Sequence, residues 1–468
     1  MLHPHQKTKR IFLCNIQEVI MSGSLIPKII MFTLAFILTA LLPSQTLNAQ
    51  DDLPLLTLEE CIEKGLNNDP DIVRAEQSLS QINNTLWTDY GSFLPSVTTS
   101  LGYNWNSRPT VAEYIETPDG QPIPVYVNES YSTSLNINQN LFNGFSDYFT
   151  LRANRHNKRA VEKNYSNEVI NAVYDIRTGY YEVLQTMKLA DVQRKALERS
   201  REQLRITETR YELGSAALSD VLKARVSEGE ARLNLINAEN NYKVAMANLN
   251  YLVGIDIEQQ YRVDSSVIVR ETDYTLENSL AVAIDNNPTL QSLKASLDAS
   301  RNSVRAAWGG FLPNLNFNFS TSYYQAGAFE FGDIYSANHN YRYGLTLSLN
   351  IFDRFLTKRN VSTARASLNT DKFNYHNYVN NLKLLVTQSY LNLERAQLAM
   401  EVSGDKLASA QEDYKLAQEK YSLGAATILD LLNAEVSLKT AESDLIDSEY
   451  NLNLAIASLE KALGTIEY

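Results

Sequence analysis

Two aspartates, Asp220 and Asp430, hold equivalent places in two stretches with the same punctuation 210 residues apart, YELGSAALSDVLKARVS from Tyr211 and YSLGAATILDLLNAEVS from Tyr421. A lone carboxylate at such a place has two kinds of chemistry open to it. It accepts hydrogen bonds from the free N–H groups that open a helix, or it presents negative charge to a passing cation. Acid–base catalysis needs more partners than this. His156, His339 and His376 are widely scattered without metal-ligand spacing, and the chain carries no Gly-x-Ser-x-Gly elbow and no phosphate-binding loop. Neither an enzyme nor a cofactor or metal site is expected, and His156 and His376 fall in predicted helices whose wet faces account for them.

The elements that must hold the aspartates can be read from their neighbours. Gly214 and Gly424 suit the left-handed residue that ends a helix, while Ser219, Asp220 and Asp430 are placed to accept bonds from N–H groups opening the next. Each stretch is thus predicted to be the tip of a helical hairpin with a loop of about five residues. The candidate functional residues are Tyr211, Gly214, Asp220, Leu222 and Ala224 on the first tip, and Tyr421, Gly424, Asp430, Asn433 and Ala434 on the second.

The duplication runs through the chain. Residues 57–70 parallel 275–288, SFLPSV at Ser92 parallels GFLPNL at Gly310, and NLFNGF at Asn140 parallels NIFDRF at Asn350. Residues 51–263 form a first predicted repeat and 264–468 a second, each running helix, strand, strand, very long helix, tip, helix. All twelve prolines lie at or before Pro313 and none falls in 125–287 or 314–468, so both stretches are free for uninterrupted helix. Helices are expected over 57–90, 144–213 and 219–253, the first opened by a Thr57 and Glu60 capping box, and again over 275–308, 354–423 and 430–463. The 70 residues of 144–213 would span about 105 Å, so two half-length helices match one long neighbour.

Such helices need seams. Leu431, Ala434, Leu438, Ala441, Leu445, Ser448, Leu452, Ala455, Leu459 and Ala462 recur at alternating spacings of three and four, and Leu222, Val226, Gly229, Leu233 and Ile236 do so in the first copy. The remaining helix surface is rich in Asn, Gln, Ser, Glu and Lys, as in a water-exposed tube wall.

Composition narrows the setting. The 468 residues carry a formal net charge of −12, a balance that speaks against nucleic acid as a partner. Residues 1–49 read as a secretory signal, with Lys28 before an apolar run that ends in small residues near Ala49; Glu18 and the long polar lead place the true start at Met21 or Met31. Removing this segment takes the balance to about −15 and leaves Cys61 alone, so no intramolecular disulfide forms, and neither Cys14 nor Cys61 sits in a lipid-attachment context. No apolar run of helical spanning length follows Gln50, so any membrane role must use strands.

Strands are expected near 96–106, 131–142, 313–325 and 341–352. Val97, Thr99, Leu101, Tyr103 and Trp105 alternate with small polar residues, and Leu315, Phe317 and Phe319 alternate with Asn314, Asn316, Asn318 and Ser320. Phe93, Phe142, Phe311 and Phe352 mark one end of these strands; Tyr103, Trp105, Tyr131, Tyr323, Tyr341 and Tyr343 mark the other, like two interfacial girdles. Four strands cannot close a membrane lumen, since open edges would leave backbone groups unpaired in hydrocarbon. Two copies would give eight strands around a filled interior, three would give twelve around a channel, and the polar face suits three.

With these features the chain resembles the TolC-like outer-membrane efflux proteins, over essentially all of residues 51–468, on the duplicated plan and the paired Tyr-x-x-Gly-x5-Asp-[VL]-Leu-x-Ala tips. The resemblance implies a mainly α fold with a membrane β-barrel portion: a homotrimer with a twelve-stranded barrel in outer-membrane lipid, continuous with a twelve-helix periplasmic tunnel. It implies a passive exit duct for efflux or type I secretion, opened when a periplasmic adaptor and an inner-membrane transporter dock. By the same resemblance Asp430 would ring the entrance with carboxylates, and Tyr421 and Asp220 would join contacts that hold the tips closed. This chain has Asn433 where the best-known members place a second aspartate, and Ala426 where an arginine completes their lock. A structural rival, a trimeric coiled-coil stalk without channel activity, would need one continuous heptad run and no hairpins returning the chain to the membrane.

Overall fold

The computed structural model describes residues 54–264, 274–327 and 339–466; the predicted signal over 1–49 lies outside the described residues. After a short strand β1 (Leu55–Leu56), the first copy comprises α1 (Leu58–Asn68), α2 (Pro70–Gly91), β2 (Ser96–Glu116), β3 (Pro122–Asn143), α3 (Ser146–Glu212) and α4 (Leu218–Val253). After β4 (Arg262–Val263) the second comprises α5 (Leu276–Asn286), α6 (Pro288–Trp308), β5 (Asn314–Ala326), β6 (Asn340–Ser348), α7 (Leu356–Ser422) and α8 (Ile428–Leu463). The long helices α3 and α7 have 67 residues each, and α4 and α8 have 36 each.

The helices expected over 57–90 and 275–308 are each broken in two. Thr57 and Glu60 do form a reciprocal capping box at the start of α1. Asp69 then leaves the helix at φ −67° and ψ 122° and caps the next one, accepting from the N–H groups of Asp71 and Ile72, while Pro70 takes the first helical turn. Asn287 and Pro288 repeat the device, with the Asn287 side chain accepting from Leu290. A residue before proline is pushed out of the helical region, so each Pro is a stop followed by a start.

Neighbouring helices follow one lateral order at two levels. On the strand side it is α2, α3, α6, α7; on the tip side it is α4, α3, α8, α7. Two half-length helices thus pack along each continuous one. Buried clusters sit partway along this wall, one around Ile176, Tyr180, Val183 and Leu249, another around Leu382, Val386, Leu459 and Leu463. Beside the first, β1 and β4 pair in parallel, and the Tyr180 hydroxyl donates to the carbonyls of Leu56 and Asp264 at 3.3 and 2.9 Å.

The other four strands form one antiparallel sheet in the order β2-β3-β5-β6. The first hairpin is longer than expected, because β2 runs on to Glu116 and β3 starts at Pro122. Pro109 and Pro124 argue against strand in a central position, but β2 is an edge of the sheet and the β3 ladder with β5 begins at Ser130, so among the described residues neither missing N–H group breaks a second ladder. A bulge between Trp105 and Thr110 absorbs the irregularity. Conversely β6 stops at Ser348 rather than 352, since its partner β5 begins opposite at Asn314. Tyr323, expected in a girdle, is covered, with the His339 ring 5.7 Å away.

The seam expected on α8 is buried at Leu431, Ala434, Leu438, Ala441, Ser448, Leu452, Leu459 and Ala462. That expected on α4 is not. Within the chain α4 packs chiefly on α3, which buries Val221, Ala224, Ala231 and Leu249, while Leu222, Val226, Leu233 and Ile236 face outward.

Candidate functional site

The tips are built alike at their helix ends. Gly214 and Gly424 both take φ 73°. Gly214 N–H donates to the Tyr211 carbonyl and Ser215 N–H to that of Arg210; Gly424 and Ala425 repeat the pair on Tyr421 and Lys420. This is the Schellman closure, in which a left-handed glycine lets two N–H groups turn back onto carbonyls the helix leaves unpaired.

The following helix starts differ, and here the sequence expectation needs correction. On the second tip Thr427 is the N-cap: its hydroxyl accepts from Asp430 N–H at 3.2 Å, while Asp430 accepts from Thr427 N–H at 2.9 Å and from its hydroxyl at 2.7 Å. The Thr427 hydroxyl, then its N–H, hold the Asp430 carboxyl below the usual aspartate range. On the first tip Ala217 stands at the cap with no side-chain bond, so Ser219 and Asp220 lie inside α4 and cap nothing. Asp220 instead sits 3.9 Å from Lys223, and the Ser219 hydroxyl reaches its carboxylate at 3.4 Å.

Within the chain Tyr421, Ala224 and Ala434 are buried, whereas Tyr211, Gly214, Leu222, Gly424, Asp430 and Asn433 are exposed and Asp220 is half-buried. Tyr421 packs with Ile428 and Leu431 in a small cluster flanked by Ala426. The side chain that brings the tips together is Arg210, which the sequence reading passed over. It donates to the carbonyls of Tyr421 and Ser422 at 3.1 and 2.9 Å, with its guanidinium carbon 4.8 Å from the Tyr421 ring centroid. Those carbonyls end α7, where a cation meets both unpaired acceptors and the negative end of the helix dipole.

Arg210 closes a series. Arg177, Lys188, Arg199 and Arg210 recur along α3 every eleven residues, a spacing close to three helical turns that keeps them on one stripe. The anions facing the first three all come from α8: Glu460 at 2.8 Å from Arg177, Glu449 at 2.6 Å from Lys188, and Glu442 at 3.2 Å from Arg199. Arg199 also lies 3.8 Å from Glu435, near enough for charge attraction but beyond hydrogen-bond reach, and the Ser200 hydroxyl donates to Glu435 at 3.3 Å. Burial pushes the Glu435 carboxyl up, against the pull of Arg199. The seam between the repeats is therefore ionic, with cations from the first copy and anions from the second.

At the far end, register puts side chains of opposite character on the two faces of the sheet. Val97, Leu101, Leu135, Ile137, Phe317, Phe319, Tyr343 and Leu345 share one face. The other carries Ser100, Ser134, Asn136, Asn138, Asn318 and Ser320, with Asn318 donating to the Asn138 side chain at 3.0 Å. No helix among the described residues is long and apolar enough to cross a membrane, and no group of His, Cys, Asp or Glu among them could hold a metal ion.

A sheet apolar on one face and polar on the other, running into a wall of long helices, defines a segment of a membrane-spanning duct. The sequence profile described as outer membrane efflux protein matches residues 61–255 and 280–465. The chain is 24% identical to the outer membrane efflux protein BepC of Brucella suis over 71% of its length and 72% of the relative's. It is 22% identical to the outer membrane protein TolC of Escherichia coli over 72% and 69%. The solved CmeC outer membrane channel of Campylobacter jejuni superposes with a TM-score of 0.75 at 18% identity, covering 87% of this chain and 85% of that one. The chain belongs to the outer membrane efflux protein family. It is an outer-membrane duct of the efflux class.

Proposed function

We propose that three copies of this chain assemble into one duct, with twelve strands in the outer membrane and twelve helices at each level of a periplasmic tunnel, and that its tips are the entrance where a periplasmic adaptor and an inner-membrane transporter engage. The observation that carries this reading is a shared lateral order. One chain ends at β2 and β6 in the sheet, at α2 and α7 on the strand side, and at α4 and α7 on the tip side. The edge from the first repeat and the edge from the second are thus open at all three levels. Joining the second-repeat edge of one copy to the first-repeat edge of the next is a head-to-tail contact, and a rotation that closes such contacts makes a ring. Four strands per copy reach a water-filled lumen at three copies, not two.

In this assembly the Asn and Ser face of the sheet lines the lumen and the apolar face meets lipid. The two tips of each copy alternate around the entrance, with Tyr211, Gly214, Asp220, Leu222 and Ala224 on one and Tyr421, Gly424, Asp430, Asn433 and Ala434 on the other. Asp430 is exposed there and held ionised, suited to meet cationic cargo or an adaptor's basic side chain. The test is the purified protein: its mass in detergent by light scattering, then its conductance in a planar bilayer. A trimer that conducts supports the reading; a folded monomer, or a trimer without conductance even after substitutions at Asp430 and Tyr421, ends it.

A further inference from the structure

We propose that the turns joining the sheet to the long helices form a basic, aromatic collar that binds the phosphate headgroups of anionic glycerophospholipids, in the leaflet on the helix side of the membrane. The proposal rests on the membrane reading of the sheet. Its first support is segregated charge. In a chain of net −12, residues 146–159 carry four cations against Asp147 alone, and residues 354–365 carry four cations and no anion. These are the opening turns of α3 and α7, the ones that adjoin the strands.

The second support is a clasp made twice. Arg155 lies over the Tyr90 ring at 5.5 Å and donates to its hydroxyl at 2.9 Å; Arg365 lies over the Trp308 ring at 5.3 Å. By the offsets of the internal repeat Tyr90 corresponds to Trp308 and Arg155 to Arg365, so both copies set a guanidinium on an exposed aromatic face at the same height. Among the described residues neither guanidinium is held by a carboxylate, so Arg365 keeps its planar N–H fork, and Arg155 the N–H groups not given to Tyr90, for phosphate oxygens. The surroundings are unsuited to a watery lumen. Trp87 is 75% exposed beside Tyr90, and Ile351, just past β6, is 94% exposed. Phe142, opposite Leu315 in register, continues the apolar sheet face down to Phe145. Aromatic rings at a membrane boundary with arginines stacked on them place the charge at headgroup depth.

Two readouts test the collar in the full-length mature chain reconstituted in vesicles of phosphatidylcholine, with or without phosphatidylglycerol. In the first, a protein whose only tryptophan is Trp308 (Trp87→Phe, Trp105→Phe) is mixed with lipids brominated at shallow or deep carbons. Stronger quenching by shallow bromines is expected. Quenching of a Trp105-only protein with none at Trp308 would keep the sheet in the bilayer and overturn the collar; quenching of neither would overturn the membrane reading as well. In the second, native mass spectrometry compares lipids retained from the mixed vesicles. Wild type should hold phosphatidylglycerol preferentially, and Arg155→Gln with Arg365→Gln should lower that preference roughly fivefold for each guanidinium removed. An equal preference in the variant, or none in wild type, refutes the proposal; Arg155→Lys with Arg365→Lys, retaining charge, should keep most of it.

Discussion

Arg210 and Tyr421 are joined in two ways, the guanidinium lying 4.8 Å from the Tyr421 ring centroid and donating to the Tyr421 carbonyl at 3.1 Å, and the same guanidinium also donates to the next carbonyl, that of Ser422, at 2.9 Å. One side chain at the end of α3 thus caps the end of α7 and ties the two tips of a single copy. Ala426 packs against the small apolar cluster of Tyr421, Ile428 and Leu431 and brings no charge to it. The cationic contact at this tip is supplied from the other repeat.

Removing that tie should loosen the entrance. Hydrogen bonds from a charged donor contribute about 1.5–3 kcal/mol, so Arg210→Ala is expected to raise the conductance of the resting duct in planar bilayers while the oligomer stays intact. Tyr421→Phe retains both carbonyls and the ring, and should leave conductance close to wild type. If both variants match wild type, Arg210 does not hold the entrance.

The capping box predicts an asymmetry between the tips. Thr427→Ala removes a cap bond worth about 1 kcal/mol and should speed amide hydrogen exchange in the first turn of α8; Ala217, which caps nothing, has no counterpart to lose. The Asp430 pKa is depressed in the folded state, so its stabilisation is present above the ordinary aspartate value, about pH 4, and is lost as pH falls through the depressed one. The protection of that turn, measured against the intrinsic exchange rate at each pH, should therefore fall on acidification in wild type and change far less in Asp430→Asn.

Much of this architecture was legible in the sequence because its signals are periodic and occur twice. Gly214 and Gly424 marked the hairpins, proline-free stretches marked the long helices, and alternation marked the sheet. The break at Asp69 has its signal in Pro70, as that at Asn287 has in Pro288, because a residue before proline is pushed out of the helical region. The long first hairpin was hidden by Pro109 and Pro124, whose tolerance depends on which strands are edges, a fact of topology that no local window contains. Arg210 was missed because a cation near a helix end reads as a wet surface; the eleven-residue spacing back to Arg177 was the signal, and it becomes meaningful only with the acidic stripe of α8 opposite.

At the ionic seam, Arg199→Ala should be more harmful than Glu435→Gln. Losing the arginine leaves a buried carboxylate with less compensation, a loss of roughly 3 kcal/mol, whereas the amide is neutral and can still accept from Ser200. Burial raises the Glu435 pKa, so the folded state takes up a proton more readily than the unfolded chain, and the cost of the lone carboxylate shrinks as pH falls toward that raised value. The thermal midpoint of Arg199→Ala should thus sit well below wild type near pH 8 and recover toward it near pH 5. Adding Glu435→Gln should restore much of the loss at the higher pH.

Cys61 offers a reporter of the wall's integrity. It is fully buried, and burial pushes its thiol up to about 12, so neither access nor thiolate is available in the folded chain. In the mature protein maleimide at neutral pH should leave Cys61 unmodified until denaturant exposes it, and the labelling midpoint should coincide with loss of helical circular dichroism. Early labelling would mean that the cluster around Tyr180 opens before the wall does.

The last test concerns the face that a single copy leaves bare. Leu222, Val226, Leu233 and Ile236 are spaced as a seam yet lie outward on α4, 52% to 61% exposed, because α3 takes the opposite side of the helix. The other open edge at this level, α7, likewise exposes Leu391, Leu398 and Val402. In the ring these edges meet, and burying one leucine contributes about 1.5–3 kcal/mol. Leu233→Glu places a charge in that contact and is expected to shift the purified protein from trimer to monomer by light scattering while helical content is retained. Val221 points at α3 inside the copy, so Val221→Glu should instead unfold the hairpin. If Leu233→Glu remains a trimer of unchanged stability, the α4 stripe is not the contact between copies, and the head-to-tail ring as drawn from the lateral order is wrong.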